Sequence, residues 1–234
     1  MAGVIERNGD KAERILAVAR DLLLKRGVRG VTVAEIAERA RVGKGTVYLY
    51  WDTKEELFFC LLARDFLSAL DEFAAVIQRD PDMMRPHGLV PIIVRSCLDH
   101  PFVRAVHAGD VDTLGLLTEH PLTKELLATA GAGRTLHKLL PLWRRYNLAR
   151  TDWDLTDQAF ALQAVIAGFF VLNSGLLRPE GVVDDSAGIL AATTRVLVEP
   201  DNPTDDVGPA VTEALAMLAE TRTIVVALLE QARK

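Results

Sequence analysis

The sequence contains only two cysteines, Cys60 and Cys97, among 234 residues. Both lie in apolar surroundings without the partner spacing of a zinc or redox motif, so we expect buried, reduced thiols. Histidine is also scarce. His100 and His107 are seven residues apart and can share a helix face, but the five histidines do not have the spacing typical of metal ligands. We therefore predict no metal and no cofactor.

Motifs for catalysis and nucleotide binding are missing as well. The four serines lack the Gly-x-Ser-x-Gly pattern of a nucleophile elbow. Residues 43–46, Gly-Lys-Gly-Thr, resemble the end of a phosphate-binding loop, but such a loop needs glycine at position 38, where this chain has Glu38. We find no internal repeat and no strand pattern. The sequence offers no positive evidence for an enzyme, and we predict that the chain is not one.

Long hydrophobic runs are absent too. Apolar stretches such as residues 159–170 and 224–229 are too short or too interrupted to cross a bilayer, and the N-terminus carries charges in place of a signal-peptide core. Half of the residues are hydrophobic and a quarter are charged, with no low-complexity tract. That composition is typical of a globular chain. We expect a cytoplasmic protein without a membrane partner.

The net charge of -5 argues at first against a nucleic-acid partner, because DNA binding depends on basic side chains that neutralise phosphates. The charge is unevenly distributed, however. Residues 20–50 contain seven basic and three acidic side chains. The chain is therefore locally basic near its N-terminus, which favours a nucleic-acid partner for that segment alone.

Apolar periodicity predicts helices throughout, and hence an all-α fold. A first helix ends at Gly27. A capping box at Thr32–Glu35 opens a second, from about Val33 to Ala40, and a third follows from Lys44 to about Trp51. Two short helices across a tight turn indicate a helix-turn-helix motif. Prolines, including Pro91, divide the middle of the chain into short pieces. The longer helices are expected at residues 53–78, 135–146, 155–176, 186–198 and 207–232.

The third helix has two different faces. Val47 and Trp51 are one turn apart and can face the core, which leaves Lys44 and Tyr48 on the opposite, polar face. Gly45 has no side chain and lets the start of this helix approach a phosphate or a base edge closely. This arrangement suits contact with DNA.

Residues 32–57, TVAEIAERARVGKGTVYLYWDTKEEL, resemble the DNA-binding signature of the TetR (tetracycline repressor)/AcrR-type family of transcriptional regulators. The matching features are Ile-Ala in the second helix, Gly-Thr at the start of the third, two spaced tyrosines and the Lys-Glu that follows. The resemblance covers about the first sixty residues. It implies a DNA-binding domain at residues 1–52 and a helical domain for ligand binding and dimerisation at residues 53–234.

The resemblance also implies roles for individual residues. Those that face the major groove would be Lys44, Gly45, Thr46 and Tyr48, and those that hold phosphates would be Thr32, Tyr50 and Lys54. Two positions depart from the family pattern. Arg41 stands where the family usually has glycine in the turn, and Gly43 stands where serine or threonine often caps the third helix. If position 41 is left-handed, arginine there costs about 1–2 kcal/mol, which a phosphate contact of its guanidinium would offset.

Beyond the first domain the resemblance is architectural. It implies a homodimer that binds double-stranded DNA at an inverted-repeat operator and is released by a small, hydrophobic effector. The helix at 155–176 is apolar almost all round and can pair with a symmetry mate, although the central helix of a monomer has the same pattern. Candidate effector contacts, each of which can equally be a core residue, are Phe102, His107, Trp143, Tyr146, Phe169, Phe170 and Asn173.

Three other functions stay open. The chain can be an activator or a corepressor-dependent regulator, a ligand-binding protein whose DNA function has been lost, or an all-helical enzyme. DNA footprinting separates the first two, and turnover of a bound ligand identifies the third.

Overall fold

A computed structural model describes residues 2–173, 175 and 183–233. All regular elements in these ranges are helices, which confirms the predicted all-α class. Two 3-10 helices, Pro81–Met84 and Gly115–Glu119, accompany the α-helices. In chain order, α1 to α12 are Ala2–Arg26, Val33–Arg39, Lys44–Tyr48, Lys54–Arg79, Pro86–Asp99, Pro101–Ala108, Val111–Leu114, Pro121–Ala130, Ala132–Arg145, Leu155–Asn173, Ser186–Val198 and Gly208–Gln231.

The chain forms two compact units. The first comprises Met1–Leu67, Pro101–Leu127 and Ile224–Lys234, and the second comprises Ser68–His100 and Ala128–Thr223. Helices α4, α8 and α12 each contribute residues to both. These units describe packing, whereas the predicted boundary between residues 52 and 53 concerns which residues bind DNA and which bind a ligand; that boundary stays a prediction.

The core of the first unit is built from the apolar faces of its helices. On α1, one helix face carries Ile15, Ala19, Leu22 and Leu23, which follow the spacing i, i+4, i+7 and i+8. All four side chains are buried. Each turn of α1 thus places an apolar side chain on the same side, and removing these side chains from water is what stabilises the helix against its neighbours. Arg20 lies beside this stripe and donates to the buried Asp65 of α4 at 2.8 Å.

Helix α1 ends as the sequence indicates. Gly27 has a φ of 66° and its N–H donates to the carbonyl of Leu23 at 2.8 Å. Glycine is suited to this left-handed position because it has no Cβ. The next residue is tied to α7, since the Val28 N–H donates to the carbonyl of Thr113 at 3.2 Å.

In the second unit, α5 packs against α10 and α11, and α10 packs against α9 and α11. Trp143 of α9 is fully buried and its indole N–H donates to the carbonyl of Met84 at 2.9 Å. The prolines at 81, 86, 101 and 121 begin helices, as expected of breakers. Pro91 does not: it lies inside α5. Proline removes one backbone donor there, while burial of Val90 and Ile93 on either side keeps the helix continuous.

Both cysteines are buried and free, as predicted. The indole N–H of Trp51 donates to Sγ of Cys60 at 3.2 Å. Burial raises the pKa of the Cys60 thiol and raises that of Cys97 to about 12. Both side chains are therefore neutral thiols at physiological pH, which makes them poor nucleophiles and poor metal ligands.

Helix α10 is unusually apolar on the outside. Its mean hydropathy is 1.6, and only 17% of this stretch is buried. In the part of the chain that the structure describes, α10 is the helix long and apolar enough to cross a membrane, contrary to the expectation that every apolar run is too short. Length and composition alone are weak evidence for a membrane span. The low burial of this apolar helix shows a face that needs a partner to cover it.

Candidate nucleic-acid interface

Helices α2 and α3 form the predicted helix-turn-helix. The turn between them is held by backbone hydrogen bonds from Arg41 N to Glu38 O at 3.0 Å and from Val42 N to Ala37 O at 2.9 Å. Nε of Arg14 on α1 donates to the carbonyl of Ala40 at 2.8 Å, which fixes the turn against α1. The regular part of α3 is shorter than predicted, because it ends at Tyr48 and continues only as a turn to Trp51.

Arg41 is in the left-handed backbone region, with a φ of 53°. The sequence comparison with the TetR pattern anticipated this conformation, because glycine is the usual residue at that position. An arginine there carries a backbone strain of about 1–2 kcal/mol. Its side chain is exposed and extends from the turn immediately before α3.

The exposed residues of α3 are Lys44, Gly45 and Tyr48, while Val47 is buried, as predicted. The ammonium of Lys44 lies 5.8 Å from the centroid of the Tyr48 ring, a cation-π distance that aligns the two side chains. A Cβ added to Gly45 would meet nothing within 4 Å. The start of α3 is therefore open to a close approach from outside.

Thr46 and Tyr50 flank this face, and both are half-buried. The Tyr50 ring is tilted against that of the buried Trp51, with centroids 5.5 Å apart. The core thus supports the flank of the interface, and the rings limit the freedom of the Tyr50 hydroxyl.

The helix starts in this region are capped differently. At the start of α2, the Thr32 hydroxyl accepts from Glu35 N at 3.3 Å. The Glu35 carboxylate pairs with Arg26 and Arg39 rather than reaching back to Thr32. At the start of α4 a complete capping box forms. Thr53 N donates to the Glu56 carboxylate at 3.0 Å, and Glu56 N donates to the Thr53 hydroxyl at 3.1 Å.

Gly43 caps α3 without a side-chain hydrogen bond. Its extended backbone, with a φ of -72° and a ψ of 148°, is the ordinary N-cap conformation. The missing hydroxyl leaves the first N–H groups of α3 without a side-chain acceptor from this cap. These groups point outward at the same end of the helix as Lys44, and the positive end of the helix dipole adds to the attraction for an anion.

Lys54 makes contacts that the sequence did not indicate. Its ammonium donates to the carbonyls of Val28 and Val31, at 3.1 and 3.4 Å, and lies 5.8 Å from the centroid of the Phe58 ring. Lys54 therefore ties the loop between α1 and α2 to the start of α4. One N–H of the ammonium is left for another acceptor, so the predicted phosphate contact requires the side chain to serve both purposes.

The basic side chains of residues 20–50 fall into two groups. Arg20, Arg26 and Arg39 are paired with Asp65 or Glu35. Four others are exposed and, within the described residues, have no carboxylate within 4 Å: Lys25, Arg29, Arg41 and Lys44. Sequence reasoning counted all seven in the basic segment but did not single out Lys25 and Arg29. Ion pairing decides which charges stay available, and pairing depends on tertiary contacts.

Comparison with known proteins agrees with this geometry. Residues 15–60 match the family model described as "Bacterial regulatory proteins, tetR family", and this segment comprises the C-terminal half of α1, all of α2 and α3, and the start of α4. Over these residues the chain is similar to TetR-family regulators. The similarity rests on the helix-turn-helix segment, which is where the sequence resemblance was found.

The proteins to which the chain is similar are named as transcriptional regulators. The HTH-type transcriptional repressor KstR of Rhodococcus jostii (strain RHA1) is 28% identical over 191 residues, which cover 81% of this chain and 83% of the relative. The HTH-type regulator YdeS of Bacillus subtilis (strain 168) is 43% identical over 65 residues. That alignment covers 26% of this chain and only 33% of YdeS. A solved structure of RolR with resorcinol aligns at a TM-score of 0.49 and 20% identity, covering 92% of this chain and 96% of RolR.

The predicted effector contacts are distributed over the two units. Phe102 and His107 belong to the first unit, and the other five belong to the second. Phe102 is fully buried, and burial lowers the pKa of His107, whose Nδ1 lies 2.8 Å from the carbonyl of Val103. Those in the second unit are Trp143, Tyr146, Phe169, Phe170 and Asn173.

Polar members of that second group have local partners. The Tyr146 hydroxyl donates to Glu213 at 2.8 Å, and the amide of Asn173 donates to the carbonyl of Phe169 at 2.7 Å. Phe170 is buried, whereas Phe169 is half-buried. An effector role for these residues stays a prediction.

The second unit contains an apolar cavity of about 40 Å³ that sequence reasoning did not find. Its walls come from α4, α5, α8, α9 and α12. On α4 the lining residues are Leu70, Phe73 and Ile77, spaced by three and four residues. This spacing was visible in the sequence, but it is equally that of an ordinary core face, so it could not by itself indicate a cavity.

Proposed function

We propose that this chain is a transcriptional repressor that binds an inverted-repeat operator as a homodimer and is released by a small, hydrophobic effector. The observation that carries the proposal is the exposed face of α3, where Lys44, Gly45 and Tyr48 lie beside basic side chains without acidic partners. A free basic surface next to a helix that fits the major groove is what DNA recognition requires. KstR, to which this chain is similar, is named a repressor, and this supports the sign of regulation.

In this proposal the residues divide into two roles. Lys44, Gly45, Thr46 and Tyr48 contact base edges in the major groove. The phosphates are held by Thr32, Arg41, Tyr50 and Lys54, and Lys25 and Arg29 strengthen the same electrostatic attraction. The left-handed Arg41 is retained because its charge serves the phosphate contact, although glycine would relieve the backbone strain.

A second copy of the chain is the proposed cover for α10 and α11. Phe160 on α10 is 74% exposed and Val196 on α11 is 78% exposed, and Ile189 and Leu172 are also largely exposed. Pairing these two helices with their symmetry mates forms an isologous four-helix interface. Two-fold symmetry then places two α3 helices in successive major grooves, about 34–36 Å apart. Because the target is chromosomal DNA, the cytoplasm is the proposed location.

Release by the effector is proposed to act through α4. This continuous helix carries Lys54 in its first turn and Leu70, Phe73 and Ile77 on the cavity wall. An effector that prefers a different position of the wall favours a population in which the DNA-binding segments are wrongly spaced. Differential affinity for the two states is the only source of such a shift.

Selection of bound fragments from genomic DNA, followed by fluorescence anisotropy titration at several salt concentrations, tests the proposal. We expect an enriched inverted repeat, a stoichiometry of two chains per site and a steep fall of affinity with salt. Lys44→Ala and Tyr48→Ala should each weaken binding about tenfold or more. Lys124→Ala is the matched control, since Lys124 of α8 is exposed and its ammonium pairs with the Glu119 carboxylate. Equal binding by all three variants contradicts the assigned face, and a protein that enriches no sequence contradicts the repressor function.

A further inference from the structure

The walls of the cavity in the second unit are almost entirely hydrocarbon. Leu70, Phe73 and Ile77 of α4 face Leu89 and Ile93 of α5 across it, and all five are buried. Hydrocarbon walls give no hydrogen bond to a ligand, so affinity for a molecule in this space comes from removal of apolar surface from water. The interior of the cavity therefore selects an apolar body.

Two of the three threonines of the lining add little polarity. The hydroxyl of Thr221 donates to the carbonyl of Met217 at 2.9 Å, and that of Thr135 donates to the carbonyl of Gly131 at 3.3 Å. Both donors are thus used by the backbone of their own helix or of the turn before it. Neither is an obvious anchor for a polar ligand group.

Lys138 of α9 is different. It is the charged residue among those described as lining the cavity. Within the described residues, no carboxylate lies within 4 Å of its ammonium, whereas Lys124 is paired with Glu119 at 2.7 Å. Lys138 is half-buried, so its methylene stem covers apolar surface. The half-buried ammonium has no carboxylate of the described residues as a counter-charge, so it favours binding of an anion beside it.

The exposure of the lining residues gives the cavity a direction. The residues of α4 and α5 are buried, whereas Lys138, Thr129 and Met217 are half-buried. The single charge therefore lies on the side nearer solvent, and the hydrocarbon lies deeper. Met217 on the same side is unbranched and flexible, which suits an opening that must admit ligands.

From this polarity we infer that the effector is an acidic amphiphile, with an unbranched or compact hydrocarbon body in the cavity and one carboxylate paired with Lys138. The inference rests on the proposed repressor function for its regulatory meaning and names the ligand class for it. One ammonium matches one negative charge. A phosphate monoester, with about two charges and three acceptor oxygens, would require further donors that the lining does not supply.

The size of the cavity indicates how such a ligand would act. A volume of about 40 Å³ holds only a few water-sized groups, whereas ligand pockets are typically about 300–1,000 Å³. A longer hydrocarbon must therefore displace a wall. Leu70, Phe73 and Ile77 make α4 one of the five helices in that wall, and the proposed release requires that α4 is the helix displaced.

The test is calorimetric titration of the full-length protein with three probes of equal chain length: dodecanoate, dodecanol and dodecyltrimethylammonium, each below its micelle concentration. We expect dodecanoate to bind at least about tenfold more tightly than dodecanol, the size of a charge-assisted hydrogen bond. Lys138→Met, which keeps the apolar stem, should remove this difference, and Lys138→Glu should shift the preference to the cationic probe. Lys124→Met should behave as the unsubstituted chain.

Each other outcome is decisive. Equal affinity for the three probes, or a preference for dodecanoate that Lys138→Met leaves unchanged, overturns the assignment of Lys138. Absence of binding by all three overturns the ligand class, and operator binding measured separately then leaves the repressor function standing. Selective binding of dodecanoate by a protein that binds no operator supports the ligand class and overturns the repressor function.

Discussion

Arg41 combines a strained backbone with an exposed positive charge. Its φ of 53° lies in the region that favours glycine, and the side chain takes part in no ion pair among the described residues. A residue that is costly to the fold and yet basic at the edge of a DNA-binding helix is expected to contribute to binding rather than to stability.

Arg41→Gly separates these two effects. Relief of about 1–2 kcal/mol of strain, less the entropy that glycine adds to the unfolded chain, predicts a net gain of about 0.5–1 kcal/mol in the free energy of unfolding. Operator affinity should fall, and the slope of log affinity against log salt should become shallower by about two, because each chain of the dimer loses one phosphate contact. Urea denaturation and anisotropy titration measure the two quantities. Arg41→Lys is the control, because it keeps both strain and charge and should change neither greatly.

Gly45 allows a second separation of stability from binding. Because a Cβ at this position meets nothing within 4 Å, Gly45→Ala should fit the free protein and stabilise α3 by about 0.5–1 kcal/mol. If the start of α3 approaches a base edge or phosphate closely, the added methyl group should weaken operator binding. Thermal melting and anisotropy measure the outcome. A variant that is more stable and binds as tightly as the unsubstituted chain would show that the DNA stays away from Gly45.

Which residues of α3 are exposed was predictable from the polarity of the side chains, since Lys44 is charged and Val47 is apolar. Residues three apart are neighbours on a helix, so Lys44 and Val47 are adjacent and the helical period alone does not separate them. The exact contacts of Lys54 were not predictable. Its ammonium is 23 and 26 residues along the chain from the carbonyls that it binds. Such a contact depends on the path of the loop between α1 and α2, for which the sequence contains no periodic signal.

At the scale of elements, the joint between α1 and α7 depends on a close approach of two backbones. Gly27 sits against the carbonyl of Asp112, so near that a Cβ at position 27 would overlap the oxygen. The hydrogen bond from Val28 to Thr113 lies beside it. α7 is itself held by Asp110, which accepts from the Thr113 N–H at 2.9 Å, and bonds to Thr113 lower the pKa of the Asp110 carboxyl.

Gly27→Ala should therefore destabilise the protein by more than backbone strain alone. Gly109 provides the matched control, because its φ of 62° is also left-handed but a Cβ there meets nothing within 4 Å. Gly109→Ala should cost about 1–2 kcal/mol, and Gly27→Ala should cost a further 1–3 kcal/mol, roughly the range for overpacking. Urea denaturation of both variants measures the difference. Equal losses would mean that the joint opens without cost.

The start of each element was easier to predict than its end. Thr32 and Thr53 mark helix starts through local hydrogen bonds within four residues, and both caps form. The regular part of α3 ends earlier than predicted, and α5 continues through Pro91. In both cases tertiary packing decides where regular hydrogen bonding stops, and packing partners distant in sequence leave no local signal.

At the scale of the whole molecule, the all-helical class and the helix-turn-helix followed from periodicity and caps. The composition of the two compact units did not, since residues 101–127 and 224–234 join the N-terminal segment across more than thirty and more than one hundred and fifty residues. Nor did the cavity. Its lining has the same apolar pattern as a filled core, and only the mutual placement of several helices distinguishes the two.

The oligomeric state is the property of the whole molecule that we expect to be most sensitive to substitutions on the exposed apolar face of α10 and α11. Val196→Glu places a charge at a side chain that is 78% exposed in one chain, so the fold of the single chain should tolerate it. In a dimer that buries this face, an unpaired carboxylate would be desolvated, which costs several kcal/mol per interface. Sedimentation equilibrium should therefore show dimers for the unsubstituted chain and monomers for Val196→Glu, with operator affinity lost in parallel.

Ala219→Glu is the control, since Ala219 is exposed on α12 and should leave the dimer intact. A dimer that survives Val196→Glu places the interface elsewhere. A chain that instead requires detergent and partitions into lipid vesicles would mean that a membrane, and not a second copy, covers α10. The three outcomes differ because the carboxylate introduced by Val196→Glu is well solvated in water, costly to bury in a protein interface and still more costly to bury in hydrocarbon.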